Sequence, residues 1–119
     1  MADHVLFVSW NTPVRGAEQR GLEVFNETLA LYGRMQQEGR IERFEVMLFE
    51  PNTQINGCIQ IFGSAEQLAA ARQDEEFQRM TIAAALIVDD LSLIEGFANE
   101  GVARQMGFYQ EAVAGVPQR

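Results

Sequence analysis

The chain has 119 residues, of which 47% are hydrophobic and 22% are charged, so it can fold around one hydrophobic core without disulfide support. Its net charge is −8, and its nine cationic side chains are all arginines scattered along the chain. This pattern excludes the clustered cations that bind nucleic acid. The absence of lysine excludes a Schiff-base or P-loop lysine, and the single cysteine excludes an internal disulfide.

No run of the sequence approaches the roughly 20 apolar residues of a membrane span. We predict no signal peptide, because the first residues lack a basic region and the apolar stretch Val5–Val8 is too short. One histidine and one cysteine cannot build a tetrahedral zinc site, so we predict no metal and no cofactor. We predict a cytoplasmic protein with no membrane partner. We also predict a single domain over residues 1–119, with a core over 1–96 and a C-terminal helix and tail over 97–119.

The first predicted elements are a strand and a long helix. His4–Trp10 is apolar and rich in β-branched and aromatic residues, which is typical of a strand. Thr12 and Pro13 predict the start of a helix, and Gly39 predicts its end. Apolar residues at helical spacing predict its buried face: Leu22, Phe25, Leu29, Tyr32 and Met35.

A hairpin is predicted next. Ile41–Glu50 alternates between apolar and polar residues, and Cys58–Phe62 forms a second short apolar run. The segment between them contains Pro51, Asn56 and Gly57, which favour turns. We therefore predict strands two and three as an antiparallel pair.

The remaining chain predicts a second helix, a fourth strand and an additional helix. Ser64 and Gln67 match a capping box, and Asp74 predicts a restart of the helix after a break. Leu91–Glu95 predicts strand four. The order βαββαβ is typical of an α+β, ferredoxin-like fold with an antiparallel sheet and both helices on one face. Beyond it, an amphipathic pattern predicts a C-terminal helix, carried by Val102, Met106, Tyr109 and Val113.

The face of the predicted sheet that no helix covers is partly apolar. On strand two, Phe44, Val46 and Leu48 can face the helices, which leaves Met47 and Phe49 on the other side. A sheet face left to water should be almost uniformly polar. A second copy of the same sheet is the simplest cover, so we predict a homodimer.

The order of elements, with the segment GSAEQLAAARQDEEFQRM and the following ALIVDDLSLIEG, resembles the dimeric α+β barrel proteins. This superfamily includes antibiotic-biosynthesis monooxygenase-like, EthD-like and NIPSNAP-like groups, and the acidic residues before Phe77 are most similar to the NIPSNAP-like pattern. The resemblance spans Val5 to Gly96. It implies a sheet-to-sheet dimer and a small-molecule pocket between the helices and the sheet of each subunit.

Three residues of strand one and its exit are candidates for a site. His4 is the only histidine, and its unperturbed pKa suits proton transfer near neutrality, although a histidine at a strand start is often simply half-exposed. Some relatives in the resembled superfamily use a strand histidine as an acid or base. The monooxygenase-like relatives use tryptophan and asparagine in cofactor-free oxygenation, and this implies a binding role for Trp10 and Asn11. The alternative role of Trp10 is a lid on the core.

Three further residues are candidates for ligand binding. Tyr32 lies on the apolar stripe of the first helix, where it is either a core residue or part of a pocket. Arg43 and Glu45 share one face of strand two, where they either orient a polar ligand or form an ion pair at the subunit interface. We predict an inert thiol for Cys58.

Two functions remain open from the sequence. The first is a small-molecule-binding protein or enzyme of the barrel type, a cofactor-free oxygenase, isomerase or cyclase acting on an apolar, aromatic or polyketide-like compound. The second is a non-catalytic ligand sensor or protein-interaction module that uses the sheet face for dimerisation. The small number of convergent polar residues favours the second function, and the resemblance favours the first.

Overall fold

The computed structural model describes residues 1–117, which form four strands and four helices. In chain order these are β1 (His4–Trp10), α1 (Glu18–Gln37), β2 (Arg43–Leu48), β3 (Gly57–Gly63), α2 (Ala65–Gln73), α3 (Glu75–Ala85), β4 (Ser92–Phe97) and α4 (Glu100–Ala114). The strands form one antiparallel sheet in the order β2-β3-β1-β4. The predicted βαββαβ order and the additional helix are confirmed.

Local signals in the sequence account for the helix boundaries around residue 70. The Ser64 hydroxyl accepts a hydrogen bond from the backbone N–H of Gln67, and the Gln67 side chain accepts one from the backbone N–H of Ser64. Asp74 ends α2 in an extended conformation and caps α3, because its carboxylate accepts a hydrogen bond from the backbone N–H of Phe77 at 3.0 Å.

The start of α1 differs from the prediction. The helix begins at Glu18 rather than at Thr12 and Pro13, because Gly16 has a φ of +91°, which a right-handed helix does not accommodate. Pro13 instead forms an isolated antiparallel bridge with Val88. The helix ends as predicted beside Gly39, which has a φ of +72°.

The hydrophobic core lies between the helices and one face of the sheet, here called the first face. Alternation along the central strands directs Leu6 and Val8 of β1 and Ile59 and Ile61 of β3 to this face. The helices contribute the other large buried side chains, Leu31, Tyr32, Met35, Leu68 and Phe77. Residues 1–117 contain no helix that is long and apolar enough to cross a bilayer.

The second face of the sheet carries the alternate side chains of each strand. Cys58 and Phe62 are buried near its centre, whereas Met47, Phe49 beyond the end of β2, and Ile94 are 40%, 39% and 57% exposed. Helices α1 and α2 pack against the strands from the first face. The mixed composition predicted for the second face is therefore present, with apolar side chains open to solvent in the single chain.

Helix α4 is anchored to the domain at its first turn. Gly101 is its one buried residue in the described chain, and the Asn99 side chain just before the helix donates a hydrogen bond to the backbone carbonyl of Ala2 at 2.6 Å. The predicted apolar stripe of the helix, here called the α4 stripe, is exposed: Val102 47%, Met106 49%, Tyr109 63% and Val113 37%. A frayed tail was expected over Val116–Arg119, and Gln118 and Arg119 of that tail lie outside the described residues.

Candidate functional site

A cavity of about 240 Å³ lies between the first face of the sheet, α1 and α3. Its walls are mainly apolar, with Val8, Val24, Phe25, Ile59, Met80 and Leu93 among the side chains that form them. Ala84 in α3 and Ile87 just beyond its end line the cavity as well. Leu22 and Leu48 also line the cavity but are 61% and 69% exposed, which places them at its outer edge.

Trp10 forms one end of the cavity, and its position depends on the glycine opposite it in the sheet. Trp10 pairs with Gly57 across β1 and β3, and a Cβ atom added to Gly57 would lie only 2.7 Å from Cζ2 of the indole. The indole also meets the Phe25 ring edge-on, with 6.0 Å between ring centroids. The absent side chain of Gly57 therefore leaves the space in which Trp10 lies.

Tyr32 lies deeper in the cavity, and its ring is held by two other aromatic rings. The ring centroids of Phe44 and Phe77 lie 5.9 Å and 6.0 Å from that of Tyr32, and the tyrosine is 4% exposed. Burial raises the pKa of the Tyr32 hydroxyl, so at neutral pH it keeps its proton and acts as a hydrogen-bond donor.

Neither the Tyr32 hydroxyl nor the Trp10 indole N–H has a hydrogen-bond partner among residues 1–117. Within the same residues, no fully buried polar side-chain atom lacks a partner. Both groups are therefore accessible to water-sized molecules. Tyr32 lines the cavity, and 4% of the residue is exposed.

The other polar groups that line the cavity are two threonines and one carboxylate. The Thr28 hydroxyl donates to the Val24 carbonyl at 2.7 Å, and the Thr81 hydroxyl donates to the Phe77 carbonyl at 2.9 Å, so each oxygen can still accept one hydrogen bond. Glu18 accepts a hydrogen bond from the backbone N–H of Gly16. Among residues 1–117 it is the only charged residue that lines the cavity, so none of these residues offers a cation to an anionic ligand.

Two loop segments pair beside Trp10 and close this end of the cavity. The backbone N–H of Asn11 donates to the Asp89 carbonyl at 2.8 Å, that of Asp89 donates to the Thr12 carbonyl at 2.9 Å, and that of Val14 donates to the Ile87 carbonyl at 2.8 Å. Pro13 and Val88, which form the bridge between these segments, line the cavity. This pair of segments, residues 11–14 and 87–89, is called the loop clasp below.

The structure brings Trp10 and Tyr32 together at the cavity and places His4 elsewhere. His4 lies six residues before Trp10 on an extended strand, about 20 Å away. Its Nδ1 atom is 2.9 Å from the Asp3 carboxylate, and its ring packs against Phe97 at 5.4 Å between centroids. The hydrogen bond with His4 is the main cause that lowers the pKa of Asp3.

The other candidate residues also lie outside the cavity. Asn11 takes part in the loop clasp through its backbone. Arg43 and Glu45 form an ion pair at 2.7 Å on the second face, and the Arg43 guanidinium lies 3.9 Å above the centre of the Phe62 ring. Burial raises the pKa of the Cys58 thiol, which is consistent with an unreactive side chain.

Sequence reasoning missed Thr28, Thr81, Glu18 and Gly57 as parts of the site. Thr28 follows Phe25 by three residues and precedes Tyr32 by four, so helical spacing places it on the same stripe. Thr28 could have been identified from the sequence as a polar residue within an apolar stripe. The role of Gly57 depends on its pairing with Trp10, which no local pattern reveals.

No family model matches this chain, and no curated protein matches it. Among solved structures, a dimeric protein of unknown function and ferredoxin-like fold from Bacteroides fragilis aligns with a TM-score of 0.63 at 13% identity, over 82% of this chain and 98% of that one. A variant of SnoaB, a cofactor-independent oxygenase from Streptomyces nogalater, aligns with a TM-score of 0.58 at 19% identity, over 82% and 93%.

A conserved protein of unknown function from Bacteroides thetaiotaomicron, described as a possible oxidoreductase, aligns with a TM-score of 0.57 at 14% identity, over 81% of this chain and 95% of that one. At these identities the likeness concerns the fold. A ferredoxin-like dimeric protein and a cofactor-independent oxygenase are the kinds of protein that the sequence resemblance indicated. This chain therefore has the ferredoxin-like α+β fold shared by these dimeric and oxygenase proteins.

Proposed function

We propose that this protein binds a neutral, largely apolar aromatic molecule that carries a hydrogen-bond acceptor, such as an aromatic ketone, in the cavity between α1, α3 and the sheet. The observation that carries the proposal is an apolar cavity lined by Tyr32 and Trp10, whose hydroxyl and indole N–H have no hydrogen-bond partner among residues 1–117. Pockets that are mainly apolar and contain a few placed polar groups are the usual sites of small-molecule binding.

The size of the cavity supports a ligand of two or three fused rings. An apolar cavity of roughly 150 Å³ accommodates one benzene ring. The present cavity, at about 240 Å³, has room for a larger planar molecule. Trp10, Phe25 and Tyr32 supply aromatic surface against which such a molecule can pack.

The charge of the lining supports a neutral ligand. Within residues 1–117, Glu18 is the only charged residue of the lining, so an anion would meet a like charge there and no compensating cation from these residues. The two free donors, Tyr32 and Trp10, match an acceptor such as a carbonyl oxygen better than a donor. A carbonyl oxygen of the ligand would supply the hydrogen-bond partner that the Tyr32 hydroxyl lacks.

The matched pair of 1-tetralone and tetralin tests this proposal, because the two bicyclic molecules differ mainly by one carbonyl oxygen. We expect 1-tetralone to change the fluorescence of Trp10, the one tryptophan, on titration, and to bind about tenfold more tightly than tetralin. In Tyr32→Phe that preference should fall to about twofold. Because the hydroxyl has no partner in the free protein, this variant should unfold at the same or a higher urea concentration.

Two results would contradict the proposal. One is the absence of saturable binding of either compound. The other is equal affinity of the two compounds for the unsubstituted protein. Thr28→Val serves as a matched control, because it removes a hydroxyl from the same cavity that already donates to a carbonyl.

Cofactor-free oxygenation of such a ligand is a second candidate function, favoured by the structural likeness to SnoaB. In this reaction a methylene carbon of the substrate is oxidised to a carbonyl by dioxygen; one oxygen atom enters the product and the other leaves as water. Glu18 is the carboxylate available to accept the methylene proton. Anthrone as the probe, with oxygen consumption as the readout, should show a rate above the uncatalysed one that Glu18→Gln abolishes. If 1-tetralone binds but anthrone causes no oxygen consumption above the uncatalysed rate, the oxygenation is refuted and the binding function stands.

A homodimer through the second face is the assembly we propose. The exposed Met47, Phe49 and Ile94 support it, and the Bacteroides fragilis protein of this fold is dimeric. Sedimentation equilibrium at micromolar concentration should give twice the 13.4 kDa chain mass. Phe49→Glu should weaken the dimer at least tenfold, because it buries an unpaired carboxylate, whereas Gln54→Glu in the exposed hairpin loop should not. A monomer at every concentration would refute the homodimer.

A further inference from the structure

Gly21 places a residue without a side chain on the side of α1 that faces the cavity. Four other residues of this side line the cavity: Glu18, Phe25, Thr28 and Tyr32. They lie three residues before Gly21 and four, seven and eleven residues after it, which is the spacing of one helix face. Gly21 lines the cavity as well, so a side chain at this position would point towards it.

The backbone of α1 does not require glycine at this position. Gly21 lies within the helix, where its N–H donates to the Ala17 carbonyl at 2.8 Å, and its φ is not positive. Outside the helix backbone and the adjacent residues, an added Cβ atom would meet one atom of residues 1–117 within 4 Å, Cδ1 of Ile87 at an ordinary 3.7 Å. Alanine would therefore fit here, and it favours a helix interior more than glycine does.

The space that a methyl group would fill beside Gly21 belongs to the cavity. In a packed core an added methyl group meets several side chains, whereas among residues 1–117 this one would meet only Ile87. Ile87 also lines the cavity, and its carbonyl accepts the Val14 N–H in the loop clasp, which fixes its backbone. The space is thus bounded by α1 and by Ile87, with Phe25 one helical turn away.

The distance between Gly21 and Tyr32 indicates how long a ligand must be to reach both residues. The eleven residues that separate them correspond to about 16 Å along the helix axis. The side chain of a helical tyrosine leans towards the N-terminus, which shortens the span between its hydroxyl and Gly21. The remaining span fits three linearly fused rings better than two.

We propose that Gly21 determines the size of the ligand, and that the space beside it holds the outer ring of a planar ketone with three linearly fused rings. This inference rests on the binding function proposed above and narrows its ligand class. A ketone oxygen at the Tyr32 hydroxyl would direct the far ring along α1 towards Gly21 and Ile87. The glycine is then retained for the ligand, at the expense of the intrinsic stability of α1.

Titration of the full chain with 1-tetralone and with its linear benzo-fused analogue, a dihydroanthracenone, tests this inference through the fluorescence of Trp10. The parent protein should bind the three-ring ketone at least fivefold more tightly, because the added ring buries further apolar surface. In Gly21→Ala the affinity for the three-ring ketone should fall about tenfold, the usual effect of one carbon in an apolar pocket. The affinity for 1-tetralone should change less than twofold.

Gly33→Ala is the matched control. Gly33 lies on the same helix but not in the cavity lining, and a Cβ atom added there would meet no atom of residues 1–117 outside the local helix backbone within 4 Å. Both alanine variants should raise the urea midpoint, because both remove a glycine from a helix. A loss of binding in Gly21→Ala alone would therefore not result from damage to the fold.

A second substitution locates the outer ring. Ile87→Val removes Cδ1, the atom that faces the added methyl group, so Gly21→Ala/Ile87→Val should bind the three-ring ketone at least threefold more tightly than Gly21→Ala. Ile82→Val, at an exposed position of α3, should give no such recovery.

The results separate this inference from the binding function on which it rests. Equal affinity of the parent protein for the two ketones, an unchanged preference in Gly21→Ala, or no recovery with Ile87→Val would overturn the role of Gly21. The binding function would stand in each of these cases. If the parent protein binds neither ketone saturably, the binding function fails, and the inference fails with it.

Discussion

Replacing Gly57 by alanine should disturb the cavity through a single added methyl group. The new Cβ would lie 2.7 Å from Cζ2 of Trp10, 2.9 Å from the backbone oxygen of Met47 and 3.0 Å from Cδ2 of Leu48. Optimal separations between such atoms are roughly 3.5–4.0 Å. The Leu48 side chain can rotate away, but the backbone oxygen is held by the β2–β3 pairing, so the indole of Trp10 must move.

The expected loss of stability follows from overpacking. Extra methyl groups in well-packed sites typically cost 1–3 kcal/mol. Three close contacts, one of them with backbone, place Gly57→Ala at about 2 kcal/mol of destabilisation. Gly96→Ala is the matched control, since its Cβ would meet Val5 Cγ1 at an ordinary 3.5 Å and should change the stability by less than about 0.5 kcal/mol.

Urea unfolding followed by far-ultraviolet circular dichroism measures the stability without relying on the tryptophan. The fluorescence of Trp10 then reports the displacement of the indole, and 1-tetralone titration reports its effect on binding. We expect Gly57→Ala to shift the emission maximum, to lower the urea midpoint and to weaken 1-tetralone binding, with none of these changes in Gly96→Ala. An unchanged midpoint and emission spectrum in Gly57→Ala would refute the positioning of Trp10 by this glycine.

Three further results are expected. Asp74→Ala should lower the free energy of unfolding by about 1 kcal/mol in thermal melts, because the backbone N–H of Phe77 loses its cap, and Asp74→Asn should retain most of it. That same hydrogen bond is the main cause that lowers the pKa of Asp74 below its unfolded value. The stabilisation by the ionised Asp74 carboxylate is therefore complete above about pH 4 and is lost as the pH falls through the pKa of Asp74 in the folded protein. On acidification, the urea midpoint should fall less in Asp74→Asn than in the parent protein. Gly101→Ala should destabilise by about 1–3 kcal/mol through its clash with Asp3, whereas Gly107→Ala, whose Cβ meets no neighbour, should stabilise by about 0.5–1 kcal/mol. Equal melting temperatures of the two alanine variants would contradict this anchoring of α4.

The elements that the sequence predicts correctly depend on short-range chemistry. The capping box at Ser64 and the cap at Asp74 involve residues three positions apart, so their pattern is complete within one turn of helix. The start of α1 was misplaced because Gly16 has a positive φ and because Pro13 pairs with Val88, a residue far along the chain. Local helix-start chemistry was overridden there by a long-range backbone pairing.

The sequence predicted which types of residue line the cavity, but it did not predict how they are arranged. Trp10 and Tyr32 are recognisable as aromatic residues with a polar atom, but the sequence does not show that their polar atoms lack partners. His4, by contrast, was suggested by its chemistry and by the family resemblance, and the strand places it beside Asp3, at the other end of β1 from Trp10. The register of β1 and β3 decides that Trp10 lies at the cavity and that His4 does not, because it fixes which side chains share a row and which face they occupy.

The loop clasp beside Trp10 has a consequence for the passage of molecules into the cavity. Only three backbone hydrogen bonds, from Asn11, Val14 and Asp89, join the two segments, and both lie outside the helices and the sheet. Their amide protons should therefore exchange with deuterium faster than those of β1, since local opening needs less free energy there than in the core. A molecule that packs against Pro13 and Val88 from inside would slow this exchange. A ligand that passed this end of the cavity would need these three hydrogen bonds to open, so its passage there would be no faster than their opening.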